Sequence, residues 1–491
     1  MSLNVKNRTI FEGDNLDILR GINSDSVDLI YLDPPFNSNR TYSAPIGSEA
    51  AGASFKDAWT LDDIDEAWHG EIADREPGLY RVIESAELSH GKGMKSYLIF
   101  MAVRLLEMER VLKDTGSVYL HCDPTASHYL KLIMDAIFGV KNFRSEIVWR
   151  RSNAHSKITR QYGPIHDIIF FYSKTNKFVF HPGTQPYSKA YIDSRFTKKD
   201  NRGRYQTNYL TGPGIRSGES GKEWRQFDPS KASRHWAIPK SLRQYLPNHG
   251  EGMTSIEKLE CLFEQDLIVF PKKIGGQPMY KQYIGEGVPY QDVWAYQPNT
   301  RGVLYGADEH IDEDVKWLEK EPERVGYPTQ KPIGLLSRII KSSSDIKDVV
   351  LDPFCGCATT CVAAETLQRE WVGIDLSSLA VKLVNQRLRD THGLFGQAIH
   401  RTDIPKRTDL GELPNYRTHK HTLYGRQEGN CNGCRVHFDF RNFAIDHIIP
   451  KSRGGTDHID NLQLLCPACN STKGANEQSY LVARLKDQGI I

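Results

Sequence analysis

The sequence predicts an α/β fold, a sheet covered by helices on both faces, interrupted by a long inserted region and followed by a small cysteine-bounded module. Three observations carry this. Short continuous apolar runs alternate with segments of helical period before Trp149 and again after Arg324. Between those limits the alternation gives way to aromatic and basic pieces punctuated by glycine and proline, such as TGPGIRSGESGKEWRQFDPS. Near the end, Cys431/Cys434 and Cys466/Cys469 form two Cys-x-x-Cys pairs around a compact block.

Taken in order, residues 15–21 read as a short helix and Val27–Leu32 (VDLIYL) as a buried parallel strand. A helical period follows over 97–112, then a strand over 117–121 (SVYLH) and a helix over 126–138. After the inserted region, alternation returns with a helix at 334–342, a strand at 349–351, a helix at 359–367, a strand at 372–374 and a helix at 379–389. Residues 400–427 are polar and basic, with Lys406, Arg407, Arg417, Lys420 and Arg426, and read as a flexible linker.

With 491 residues the chain has room for about three domains. Charged residues are 25% and hydrophobic residues 39%, as in ordinary globular proteins. No stretch approaches the ~20 apolar residues of a membrane span, and the first residues lack the apolar core of a signal peptide. A cytoplasmic protein without a membrane partner is therefore expected. Nine cysteines, an odd number, argue against a disulfide framework. Net charge is only +2, but its distribution is uneven. Residues 62–76 and 308–323 are acidic, whereas 144–281 carry a clear basic excess, the pattern of a surface that faces nucleic acid.

Asp33-Pro34-Pro35-Phe36 follows the strand VDLIYL directly. Ligands of open α/β sheets bind beyond the carboxyl ends of strands, so this loop is where chemistry belongs. An exocyclic amino group on a base is a poor nucleophile, because its lone pair is delocalised into the ring. A carboxylate and a backbone carbonyl can each accept one of its N–H bonds and draw the nitrogen toward tetrahedral geometry. Asp33 supplies the carboxylate and Pro34 the carbonyl, while the prolines stiffen the loop. Phe36 offers a ring face for a base taken out of the helix.

A second loop, Asp352-Pro353-Phe354-Cys355-Gly356-Cys357, lies between a buried strand and a helix, where small residues let backbone approach a ligand. The next strand ends in Val372-Gly373-Ile374-Asp375, at the spacing from which an acid reaches ribose hydroxyls. Gly13-Asp14 opens the first helix, and Tyr327-Pro328-Thr329-Gln330-Lys331-Pro332 leads into the helix before the second loop. Alone, each of these could be a turn or a cap.

Together and in this order, the four elements resemble the beta class of DNA amino-methyltransferases over residues 8–395, including the run GSVYLHCDPTASHYLKLIMDAIFG. The resemblance implies a Rossmann-like S-adenosylmethionine-dependent methyltransferase sheet acting on double-stranded DNA. It implies that Asp14, Thr329, Lys331, Asp352, Phe354, Gly356 and Asp375 line the S-adenosylmethionine site and that Asp33, Pro34, Pro35 and Phe36 hold the target base. Ala358 departs from the family, which usually has a second glycine there. Asp-Pro-Pro-Phe is commoner among the adenine enzymes of this family, so adenine N6 leads and cytosine N4 stays open. Residues 149–324 fall where the family keeps its target-recognition region, with Arg150, Arg151, Lys198, Lys199, Arg202 and Arg204 interleaved with Tyr205, Tyr209 and Trp224.

In the last block, Cys431, Cys434, Cys466 and Cys469 make a four-thiolate set suited to tetrahedral zinc. Between and after the pairs stand Asp446-His447-Ile448-Ile449-Pro450, Gly454-Gly455, Asn461 and Asn470. These residues resemble the HNH nuclease family, a ββα-metal fold. The resemblance implies His447 as the base that activates water, Asn461 as its orienting partner, and Asp446 and Asn470 as ligands of Mg²⁺ or Mn²⁺. The alternatives are a methyltransferase whose zinc-stapled module only binds DNA and a modification-sensing DNA-binding protein without turnover. The expected organisation is a catalytic part at 1–148, the recognition region at 149–324, a cofactor part at 325–399, a basic linker at 400–427 and the nuclease module at 428–491. Oligomeric state stays open, a homodimer included.

Overall fold

The computed structural model describes residues 2–35, 40–43, 54–57, 72, 76–151, 160, 162–185, 187, 189–271, 276–285, 287–295, 325, 327, 329–392 and 397–491. Phe36, Pro328 and most of the acidic segments at 62–76 and 308–323 lie outside them. The chain forms two compact units, one of which spans Met1–Gly183, Tyr290–Asn299 and Asp312–Ile491.

The first unit is built on a nine-stranded sheet. Its strands are β1 (Thr9–Glu12), β2 (Val27–Leu32), β3 (Leu112–Cys122), β4 (Phe143–Arg150) and β5 (His166–Ser173), continuing with β10 (Val293–Ala295), β11 (Val349–Asp352), β12 (Glu370–Asp375) and β13 (Ile399–Arg401). They lie in the order β10-β4-β5-β3-β2-β11-β12-β1-β13. Each neighbouring pair is parallel except the two made by β5, which runs against β3 and β4. All six residues of β2 are buried, as an interior parallel strand requires. Ile30 and Leu32 join a core shared with α1 (Asn15–Gly21), α2 (Pro77–His90), α3 (Lys92–Val111) and α4 (Ser127–Phe138). Leu29 and Tyr31 point the other way, into a core shared with α6 (Ile333–Ser343), α7 (Thr359–Thr366) and α8 (Ser378–His392). Strand periodicity of two thus divides one apolar run between two helical layers.

The described residues of the second unit lie within Thr184–Pro289. It holds a four-stranded sheet of β6 (Lys198–Asp200), β7 (Gly203–Tyr209), β8 (Ile268–Val269) and β9 (Met279–Tyr283), and the helix α5 (Ser255–Glu264). Its own core gathers Trp224, Trp236, Leu259 and Leu262. The insertion is thus narrower than 149–324. The apolar run of β5 is a buried sheet strand, and β10 returns to pair with β4.

Residues 400–427 are not a flexible linker. Strand β13 adds to the sheet edge beside β1, and the chain after it lies against the start of the molecule. Asn4 Nδ2 donates to Lys406 O at 2.7 Å, Asn23 and Thr408 exchange two hydrogen bonds of 2.8 Å, and Asp409 accepts from Ser24 N at 3.0 Å. Gly21 permits this approach, since a Cβ there would lie 2.1 Å from Pro405 O. From Tyr416 onward the chain belongs to the C-terminal module. Leu423 on α9 (Lys420–Arg426) packs in one core with Cys431, Phe443, Leu464 and Leu481, and Gln427 bonds the backbone of Leu464. The module continues with the antiparallel pair β14 (Ala444–His447) and β15 (Leu462–Leu465), then α10 (Pro467–Lys473) and α11 (Gln478–Asp487). Among the described residues no helix is long and apolar enough to cross a membrane.

Candidate active sites

Adjacent strands β2, β11, β12 and β1 all run in one direction, so Asp33, Asp352, Asp375 and Asp14 are delivered to one edge of the sheet. That edge is formed by strand carboxyl ends, where open α/β sheets bind ligands. The register is tight: Leu351 faces Ile30, Asp352 faces Gly373, and Gly13 N donates to Asp375 O at 2.9 Å.

Asp33 Oδ2 is ion-paired with Lys331 Nζ, and Lys331 also donates to Thr329 O at 3.2 Å. Asp33 Oδ1 is buried and has no hydrogen-bond partner among the described residues. The carboxylate is therefore anchored by one oxygen and leaves the other ready for a donor. Pro34 is buried and Pro35 half-buried beside it. Beneath this loop runs a buried chain that sequence reading missed. Tyr31 OH meets His121 Nδ1 at 2.9 Å, His121 Nε2 meets Asp167 Oδ2 at 3.2 Å, and Arg151 pairs with Asp167 at 2.8 Å. Burial pushes Asp167 up, but the His121 hydrogen bond and the charges around it hold the carboxyl below its usual range. The chain fixes the end of β2 from below.

The second loop is cradle-shaped. Gly356 has φ +49°, and a Cβ there would come within 3.1 Å of the Tyr327 ring. Its N–H donates to Asp375 Oδ2 at 2.8 Å, while Ser377 N donates to Oδ1 at 2.8 Å. Each oxygen still keeps a lone pair for a hydroxyl donor. Asp352 is pushed up to about 7 by burial, opposed by hydrogen bonds from Thr360 and Phe354 N and reinforced by Asp33 and Asp375. Burial raises Asp375 as well. Ala358, where the family usually has glycine, sits at φ +56°, in the left-handed region that glycine adopts freely. Phe354 packs at a tilt on Phe100, 6.2 Å between ring centres.

Asp14 caps α1 through Leu16 N at 2.8 Å and accepts from Arg104 Nη2 at 2.9 Å. Arg104, pushed down to about 10 by burial despite Asp14, also donates to Asn15 Oδ1 at 2.6 Å and stacks over Phe100. Asn15 Nδ2 in turn donates to Pro353 O at 2.7 Å. Arg104 and Asn15 therefore tie Asp14 to the second loop. A buried arginine inside an apolar helical stripe was the signal that could have flagged them.

In the second unit the basic and aromatic residues divide. Lys198, Lys199 and Arg202 are on or near the surface, and Tyr209 is 62% exposed. Arg204 is instead spent on Phe196 O and Asp193, and Trp224 is a core residue that donates to Glu260.

In the C-terminal module the ligand atoms of Cys431, Cys434, Cys466 and Cys469 all lie within 4.8 Å of one another. Cys431 Sγ accepts N–H bonds from Cys466 at 3.2 Å and Gly433 at 3.4 Å. Four converging sulfurs fit a tetrahedral Zn²⁺. Asp446 and His447 end β14. Asp446 Oδ2 takes Gln463 Nε2 at 2.9 Å and Lys473 Nζ at 3.0 Å, and the fully buried Lys473 also donates to His447 O at 2.7 Å. Asn470 lies on α10, one turn before Lys473. Asn461 is not the side chain that orients His447. Its amide bonds Ile449 N, Ile449 O and Thr456 O, which braces the loop 449–456. His447 Nε2 is held by Asp457 Oδ1 at 2.7 Å, and Lys451 holds Asp457 Oδ2 at 2.8 Å. Burial raises Asp457, yet the bonds from Lys451 and His447 keep it below the usual carboxylate range.

A family model described as DNA methylase matches residues 27–386, and one described as HNH endonuclease matches residues 431–476. The type II methyltransferase M.EcaI of Enterobacter cloacae is 29% identical over 318 residues, 64% of this chain and 62% of that protein. The type III restriction-modification enzyme StyLTI Mod subunit of Salmonella typhimurium is 29% identical over 374 residues, 73% of this chain and 50% of the subunit. The chain thus spans less than two thirds of either relative. DNA adenine methyltransferase YhdJ of Escherichia coli is 22% identical over 381 residues, 78% of this chain and 82% of that protein.

Proposed function

The chain belongs to the DNA methylase family and carries a C-terminal HNH domain, and from that premise we propose that it moves a methyl group from S-adenosylmethionine to an exocyclic amino group of double-stranded DNA. The observation that carries this reading is Asp33, with Oδ2 anchored on Lys331 and Oδ1 buried at the strand edge with no hydrogen-bond partner among the described residues. Asp33 Oδ1 accepts one amino hydrogen and Pro34 O the other, which localises the nitrogen lone pair. S-adenosylmethionine supplies the methyl on a positively charged sulfur. Asp14 and Asp375 would hold its hydroxyl and amino groups. The glycine cradle at 356 would admit it, beside Asp352, Phe354, Thr329 and Lys331. Adenine N6 is the favoured target, given Asp-Pro-Pro-Phe and a relative named as an adenine methyltransferase. Lys198, Lys199, Arg202 and Tyr209 are the DNA contacts of the second unit.

We further assign metal-dependent strand cleavage to the module from about Tyr416 to the end. Zn²⁺ on the four cysteines would staple a domain with a small core. Asp446 and Asn470 offer the oxygen donors that suit Mg²⁺ or Mn²⁺. His447, with Nε2 committed to Asp457, presents Nδ1 as the base. A single-chain restriction-modification enzyme is the role that unites both activities.

The methylation reading is tested with Asp33→Ala. Losing a positioned acceptor typically removes several kcal/mol of transition-state stabilisation, so single-turnover methylation should fall by at least about a hundredfold. S-adenosylmethionine affinity, measured by calorimetry, should stay within about threefold. Near-wild-type methylation by the variant would remove Asp33 from the chemistry.

A further inference from the structure

The C-terminal module is seated on helix α1 by a closed ring of charge. Arg453 Nε meets Asp17 Oδ2 at 3.2 Å, and Arg453 Nη1 meets Glu477 Oε1 at 3.2 Å. Arg20 Nη1 meets the same Glu477 oxygen at 2.7 Å and Asp17 Oδ1 at 3.6 Å. Asp17 and Arg20 lie on α1; Arg453 and Glu477 lie in the module. The side chains of Arg20, Glu477 and Asp17 are only 10%, 5% and 14% exposed. Charges buried this far are tolerated only when paired, and here each carboxylate meets both guanidinium groups. The backbones are also close: Gly454, at φ +85°, would carry a Cβ 3.1 Å from Asp17 O and 3.3 Å from Arg20 Cβ.

Both module members of the ring sit beside the parts that hold His447. Arg453 and Lys451 occupy one short turn, and Lys451 fixes the Asp457 carboxylate on which His447 Nε2 rests. Glu477 precedes Gln478, whose N–H donates to Ile448 O at 3.1 Å, one residue after His447. A shift of α1 or loss of its charges therefore reaches the histidine through two short routes.

We infer that helix α1 of the methylase half is a working part of the nuclease module, with Asp17 and Arg20 as positioning residues for His447 and its Lys451–Asp457 support. This rests on the nuclease reading only for its effect on cleavage; the seating itself is independent of it. A module fixed in this way presents its histidine in one orientation relative to the methylase sheet.

The test uses the full chain and three variants: Asp17→Asn, Arg453→Gln and the two substitutions combined. Hydrogen exchange is followed in peptides covering 447–458, alongside nicking of supercoiled DNA with Mn²⁺ and methylation of the same DNA. Each single variant should exchange about tenfold faster in 447–458 and nick about tenfold more slowly, with methylation unchanged within about twofold. The combined variant should exchange and nick within about threefold of the single variants, the non-additive behaviour of a direct pair. Unchanged exchange in both single variants, or a combined variant whose loss is the product of the two single losses, would overturn the inference. A wild-type protein that does not nick at all would sink the nuclease reading, and exchange alone would then decide the seating.

Discussion

Asp33 and Asp352 are two acids at one strand edge with opposite circumstances. Asp33 has a lysine against it, whereas Asp352 has burial and two neighbouring carboxylates. A carboxyl pushed up to about 7 stabilises the fold while protonated. Its contribution is present below the unfolded carboxylate value of about 4 and lost as pH climbs through about 7. Asp352→Asn, neutral throughout, should melt increasingly above wild type as pH rises from 5 to 8 in cofactor-free protein; a gap that stays constant over that range would contradict this. Ala358 carries a different strain, a buried Cβ at φ +56°. Ala358→Gly should raise stability by about 1 kcal/mol in denaturant unfolding, the left-handed relief outweighing glycine's extra unfolded freedom; a lower midpoint would count against it. The acids at the strand ends were legible because strand, turn and acid are contiguous in sequence. Lys331 as the partner of Asp33 was not, because 298 positions separate them. The resemblance implies Asn461 as the partner of His447; Asp457, ten residues from the histidine and without a signal of its own in the sequence, is brought to it only by the fold.

At the scale of elements, apolar runs and helical periods located the strands and helices that position the site, with ends displaced by a few residues. The largest departures have a common cause. Polar, basic residues 400–427 gave no periodic signal, yet Asn4, Asn23 and Ser24 supply hydrogen bonds that only the folded first turn of the molecule can offer. The reversed strand β5 was absorbed into the inserted region because its sheet partners come from distant positions. Among the described residues the C-terminal elements share no core residue with the sheet, so their stability is separable. Zinc chelation, or Cys466→Ser, should abolish hydrogen-exchange protection across 431–487 and leave methylation within about twofold, since metal binding and folding of such a module are one event. Loss of methylation on chelation would show that the sheet depends on the module.

The whole molecule unites a methylase sheet, a second unit with exposed basic residues and a module built round four converging cysteines. This order was legible because each part carries its own local signature of strand-end acids, aromatic-basic pieces or cysteine pairs. What depended on the fold is that the module is seated on α1 instead of swinging from a tether. Central to the account is methyl transfer to an exocyclic nitrogen through Asp33. It is tested most directly by incubating unmethylated duplex DNA with the protein and S-adenosylmethionine bearing a deuterated methyl group, then digesting the DNA to nucleosides for mass spectrometry. Wild type should yield deuteromethylated N6-methyladenine and Asp33→Asn essentially none; a label found only on a ring carbon of cytosine, or equal label from both proteins, would contradict it.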